Sequence, residues 1–157
     1  MVAAKLAGLA AVADPDARVL VLGSMPGARS LQQQQYYAHP RNSFWPIMAD
    51  IYQFDRHSPY AVRLANIRQR GVALWDVVAR CHREGSLDSS IESQSVVAND
   101  FAAFFAAHPH ICKLLFNGAK AGILYKKFVM PELPQRLQRL DSTRMPSTSP
   151  AHAAMPY

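Results

Sequence analysis

Three short runs hold most of the side chains that could do chemistry. The first is "GSMPG", Gly23 to Gly27, directly after the apolar run "RVLVLG". Its glycines permit tight turning and close backbone approach. Such a turn could cradle an anion on its N–H groups, although it is neither a Walker loop nor a GxGxxG fingerprint. It could equally be an ordinary turn. The second run is "QQYYAHPRNSFW", ending at Trp45. An amide-rich loop with two tyrosines is entropically costly to order unless it grips something. A tyrosine beside a cleft can stack on a nucleobase face. Tyr36 and Tyr37 could also be core aromatics with satisfied hydroxyls, and His39 and Asn42 mere braces of the loop. The third run is "PSTSP", Pro146 to Pro150. Small hydroxyl residues between prolines suit phosphate contact through backbone N–H groups, and they suit a plain linker as well.

The elements that must position these runs follow from periodicity. "RVLVLG" reads as a strand buried on both faces. "GVALWDVV" is a second strand, "ICKLLFNG" a third and "QRLQRLDS" a weaker fourth. Helices are expected over Lys5 to Val12, over "SFWPIMADIYQF" with Ser43 as cap, and over "SPYAVRLANIRQRG" with Ser58 as cap and Pro59 first. Two more are expected over "NDFAAFFAAHP", capped by Asn99, and over "AKAGILYKKFV". Strands alternating with helices predict an α/β fold, a three-layer α/β/α sandwich around a central four-stranded parallel sheet. In such sheets ligands gather at the carboxyl ends of the strands. Segments 23–42, 75–83, 117–120 and 145–152 are therefore expected to meet at one cleft.

The 157 residues fit one domain, and half of them are apolar, enough for a sizeable core. No run is long and apolar enough to predict a membrane span. The N-terminal stretch reads as an amphipathic helix rather than a leader, because Asp14, Asp16 and a strand follow at once. Seventeen basic residues against eleven acidic ones give a net charge of +6. That charge suits either a solvated basic surface or a polyanionic partner, and its dispersion along the chain favours a folded face over a disordered arm. Cys81 and Cys112 lie in no CxxC pair, and His108 and His110 lack ligand spacing. Reduced thiols, no metal, no cofactor and a cytoplasmic location are the expectation. Monomer is the default. Arg83 and Glu84 read as a surface pair.

Together "GSMPG", "HPRNSFW", "REGSLDSSI", "FNGAKA" and "PSTSPAHA" resemble the uracil-DNA glycosylase superfamily, and most of all its hypoxanthine-DNA glycosylase branch. The resemblance covers nearly the whole chain, in order. It implies the same four-stranded fold over residues 1–157. It also implies a further helix past the second motif, which the sequence, ending at Tyr157, does not include. The implied activity is that of a monofunctional DNA-deoxyinosine glycosylase in base-excision repair, hydrolysing the N-glycosidic bond of a deaminated base flipped from duplex DNA. Uracil or mismatch excision is the alternative within that class, and a non-catalytic nucleic-acid-binding domain the alternative outside it.

The resemblance also distributes roles. Met25 stands where mismatch-specific relatives carry the asparagine that positions water, and a thioether cannot do this. Asn42 is then the substitute catalytic amide, with Ser24 and Met25 supplying the surrounding turn. Gly23, Pro26, Tyr37, Asp76 and Asn117 fall to the base. Tyr37 is the stacker and Asp76 the reader of the base edge, although a cap or an ion pair with Arg80 would explain Asp76 as well. Asn117 buttresses the pocket or caps the next helix. DNA contact falls to His39, Arg41, Lys120, Pro146, Ser147, Thr148, Ser149 and His152. Met145 replaces the histidine that opens the second motif in many relatives.

Overall fold

The computed structural model describes residues 5–150. Its centre is a four-stranded parallel sheet. The strands are β2 (Val19–Gly23), β3 (Val72–Asp76), β6 (Lys113–Asn117) and β7 (Asp141–Met145), in the order β3-β2-β6-β7. The expected parallel sheet is therefore present. The central strand β2 alternates its side chains between two cores, as the two-residue period requires. Leu20 and Leu22 pack on one face with Phe101, Phe104 and Phe105 of α4 (Phe101–Ala107) and with Leu124 of α5 (Ala119–Phe128). Val21 packs on the other with Phe44 and Trp45 of α2 (Phe44–Tyr52) and Ile67 of α3 (Tyr60–Gln69). Helices on both faces make the three layers.

Several local expectations are overturned. Lys5 to Val12 is not a helix. Lys5–Ala7 forms β1, antiparallel to β4 (Val78–His82), and Val12 bridges to Leu74. Helix propensity is a weak prior, and here strand pairing outcompetes it. "GVALWDVV" is not one strand: β3 ends at Asp76, and β4 departs after Val77 into a second, three-stranded sheet, β1-β4-β5, with β5 spanning Val97–Ala98. The first half of "QRLQRLDS" is the short helix α6 (Gln135–Gln138), and the fourth strand begins only at its last two residues, running exposed over Asp141–Met145. Its polar sequence suits an edge strand. Lys113 reaches across to it, with Nζ 3.0 Å from the Asp141 carboxylate and 2.6 Å from the Thr143 hydroxyl.

The caps move too. Asp100, not Asn99, caps α4 by accepting the Ala103 N–H at 3.1 Å. Ser43 holds the cap position of α2 as expected but makes no side-chain capping bond; Asn42 Oδ1 accepts the Phe44 N–H at 2.9 Å instead. Pro59 holds the cap position of α3, and the Ser58 carbonyl instead accepts from Arg63 Nε. A short helix α1 (Ala28–Gln33) follows the "GSMPG" turn, where the sequence suggested only loop.

Candidate active site

The carboxyl ends of β2, β3 and β6 open into a cavity of about 890 Å³. The "GSMPG" turn, the Tyr37–Asn42 loop, the Asn117–Lys120 turn and the Pro146–Pro150 loop all line it, as does Asp76. A further wall, Ser86 to Asp88, belongs to the "REGSLDSSI" run, to which the sequence reading gave no role at the cleft. His152 lies outside the described residues.

Asp76 is the last residue of β3, in register with Gly23 at the end of β2. A Cβ on Gly23 would collide with Asp76 Oδ1, so only glycine lets this carboxylate cross over the neighbouring strand end. Among the described residues Asp76 forms no ion pair with Arg80; it is buried, and its Oδ2 has no hydrogen-bond partner. Burial and the repulsion of Asp88 push its pKa up to about 7, with Arg83 pulling the other way. Asn99, misread as a helix cap, donates from Nδ2 to the Asp76 carbonyl at 2.7 Å and so fixes the strand end.

The two tyrosines divide the alternatives that the sequence left open. Tyr36 is the core aromatic: its hydroxyl donates to the Ala10 carbonyl at 2.8 Å, and its own carbonyl accepts from Trp45 Nε1 at 3.0 Å. Tyr37 faces the cavity in a left-handed conformation, φ 56°, uncommon for an aromatic residue. Its ring stacks on Phe44 with centroids 4.1 Å apart. Its buried hydroxyl makes no hydrogen bond of good geometry. Burial together with Asp76 raises its pKa far above that of an ordinary phenol, with the nearby Asn117 side chain pulling the other way.

The serine loop is tied down from two sides. The Asn117 amide donates from Nδ2 to the Thr148 hydroxyl and accepts the Thr148 N–H, both at 2.9 Å. The Thr148 carbonyl accepts the Ser43 N–H at 3.0 Å. Thr148 therefore spends its polar groups inward, and Asn117 clamps this loop rather than capping α5. Gly118 is the residue at the α5 cap, with φ 94°, and a Cβ there would stand 3.2 Å from that of Ser147. Met25 is buried against the main core cluster and also lines the cavity, where its thioether can neither orient nor deprotonate water.

The sequence pattern of the Uracil DNA glycosylase superfamily matches residues 10–156 of this chain. The chain belongs to this superfamily. Two proteins named Hypoxanthine DNA glycosylase are similar to it. The one from Methanosarcina barkeri is 36% identical over 119 residues, covering 75% of this chain and 74% of its own length. The one from Methanosarcina acetivorans is 36% identical over 116 residues, covering 73% and 72%. A solution NMR structure of a proposed uracil DNA glycosylase from Methanosarcina acetivorans superposes with a TM-score of 0.79 at 32% identity, covering 97% of this chain and 89% of that one.

Within this member of the superfamily, Arg83 corrects the sequence reading most sharply. It is no surface partner of Glu84 but is 1% exposed. Its Nη2 donates to the Pro26 carbonyl at 2.7 Å and its Nε to the Gly85 carbonyl at 2.8 Å, tying the "GSMPG" turn to the loop after β4. Ser24 is bound to the same loop, donating its hydroxyl to Asp88 Oδ1 at 2.5 Å. Arg41 is exposed at the mouth, its N–H held by His39 Nδ1 at 3.1 Å, and Lys120 lines the far side. No helix among the described residues is long and apolar enough to cross a membrane.

Proposed function

We propose that this protein is a monofunctional DNA glycosylase that removes hypoxanthine flipped out of duplex DNA. The observation that carries the reading is the free carboxylate oxygen of Asp76 in the cavity. An ionised carboxylate only accepts hydrogen bonds. Hypoxanthine offers N1–H where adenine offers a lone pair, so Asp76 attracts the deaminated base and repels the normal one. The names of the two Methanosarcina relatives support the same substrate.

The remaining roles follow from the site. Phe44 covers one face of Tyr37, and the flipped base stacks on the other. Asn42 Oδ1, oriented by the Phe44 N–H, holds the attacking water with its second lone pair. An amide is no strong base, so its contribution is orientation. The C1′–N9 bond breaks with its electron pair going to the base, and water adds to C1′ from the opposite face and releases a proton to solvent. The N–H groups of Ser24, Met25 and Gly27 stabilise the departing anion. Arg41, Lys120 and Ser147 contact phosphates flanking the gap. We assign the enzyme to the cytoplasm as a monomer; the free thiols Cys81 and Cys112 suit a reducing compartment.

The test is single-turnover incubation with duplexes carrying deoxyinosine, deoxyuridine, deoxyxanthosine or only normal bases, followed by alkaline cleavage at abasic sites. Strand cleavage at inosine, with no adduct trapped by borohydride, is expected. Asp76→Asn should erode the preference for inosine over adenine. No abasic product from any duplex, or an unchanged preference in Asp76→Asn, overturns the reading.

A further inference from the structure

Two charged groups of the loop after β4, Arg83 and Asp88, bind the "GSMPG" turn and are unused by the proposed chemistry. Asp88 lines the cavity and accepts the Ser24 hydroxyl. Ser24 follows Gly23, across which the Asp76 carboxylate lies. Arg83 sits at the start of the loop, buried, with two nitrogens committed to the Pro26 and Gly85 carbonyls and Nη1 unpartnered. Its guanidinium is therefore fixed by backbone rather than neutralised by a carboxylate. One negative and one positive group of the same short segment are thus anchored on the "GSMPG" turn, at whose first residue the Asp76 carboxylate lies.

We propose that Asp88 and Arg83, which grip the turn that the Asp76 carboxylate crosses, are positioning residues that set the charge Asp76 presents to the base. The proposal rests on the reading of Asp76 as the base-contacting carboxylate. The other titratable groups that interact with Asp76 are the hydroxyls of Tyr37, beside Gly23, and of Tyr36, which is bonded to the Ala10 carbonyl. Both are held neutral by burial, so neither supplies a competing charge. Cys81 acts on Arg83 from within β4 and is likewise held in its neutral form by burial. The balance gives the pocket a specificity control. With Asp76 ionised, only a base with a donor at N1 is accepted. With Asp76 protonated, its hydroxyl can donate to adenine N1, and discrimination falls.

The test follows the Asp76 carboxyl carbon by NMR across pH in the intact protein, alongside pH profiles of single-turnover inosine excision. Asp88→Asn keeps an oxygen for the Ser24 hydroxyl and removes only the charge. It should lower the Asp76 midpoint by about one unit, a tenfold change in proton affinity. Arg83→Gln should move it the other way. A purely structural role would slow both variants equally at every pH without moving the midpoint. A folded Asp88→Asn protein whose Asp76 midpoint stays within about 0.2 unit of wild type overturns the proposal. Should Arg83→Gln fail to fold, Asp88→Asn decides alone. Because the carbon titration needs no catalysis, an unshifted midpoint in a protein active on inosine overturns this proposal alone, whereas a protein inert on inosine refutes the function above and with it the link from this charge to base choice.

Discussion

Replacing Asp76 with asparagine should make the protein more stable at alkaline pH, and the size of the effect follows from the site. The Asp76 carboxyl ionises near 7 in the folded chain against an ordinary value of 3.8. The unfolded chain therefore releases this proton first. The stability that this group contributes is greatest where it is protonated in both states, below about pH 4, and falls as pH rises to about 7. About three units of difference correspond to about 4 kcal/mol when the loss is complete. Between pH 5 and pH 8 the loss amounts to about 2.5 kcal/mol. The amide of the Asp76→Asn protein has no proton to lose, so the stability gap between variant and wild type should widen by that amount over the interval. Urea unfolding at pH 5 and pH 8 measures it, and thermal melts should show the gap in Tm widening by roughly 5–10 °C for a chain of this size. Any constant penalty for fitting an amide against Gly23 cancels in the difference. A gap that stays within about 0.5 kcal/mol across the range would mean that Asp76 is not a strained, desolvated carboxylate, and the account of base selection would lose its physical basis.

Other substitutions probe the remaining parts. Asn42→Ala should cost about 1 kcal/mol through loss of the α2 cap and, separately, about a hundredfold in single-turnover rate; Asn42→Asp, which keeps the capping oxygen, should recover the stability in urea unfolding. Gly118→Ala forces a side chain into left-handed backbone against Ser147, and should destabilise by about 1–3 kcal/mol while weakening DNA binding in a fluorescence titration. Arg41→Ala and Lys120→Ala should each weaken inosine and control duplexes alike and reduce the slope of log affinity against log salt by about one.

The parallel sheet was legible because β2, β3 and β6 are continuous apolar runs, and a strand covered on both faces can hardly be written otherwise. β7 was not, since Asp141, Ser142, Thr143 and Arg144 carry no apolar signal and the strand is held by backbone pairing to β6. The N-terminal strand was misread because alanine and leucine favour helix locally, whereas the free edge of β4 was invisible from sequence. The cavity's main walls were legible for a different reason: strand-end loops of an α/β sheet converge, so the three polar runs had to meet. The roles of Arg83 and Asp88 were hidden, although both lie in the "REGSLDSSI" run. A charged residue beside Glu84 in a Gly/Ser-rich stretch has the signature of surface, and only the fold shows the guanidinium buried beneath the Pro26 turn.

The location of the strained carboxylate also follows from this architecture. Parallel register sets Asp76 opposite Gly23, and the missing Cβ on Gly23 leaves room for one oxygen while giving it no donor. The second oxygen is buried and has no hydrogen-bond partner among the described residues. The same geometry that destabilises the ionised folded chain thus keeps an acceptor unpaired until a ligand with a matching donor arrives. A buried acceptor left unpaired costs about 1–3 kcal/mol, more when charged, so a base lacking the donor cannot relieve the strain and one carrying it can. On the proposed function, selection against adenine and loss of stability as pH rises towards 7 are therefore two consequences of one unsatisfied oxygen. A variant that supplied Asp76 with an internal donor should gain stability and lose discrimination together.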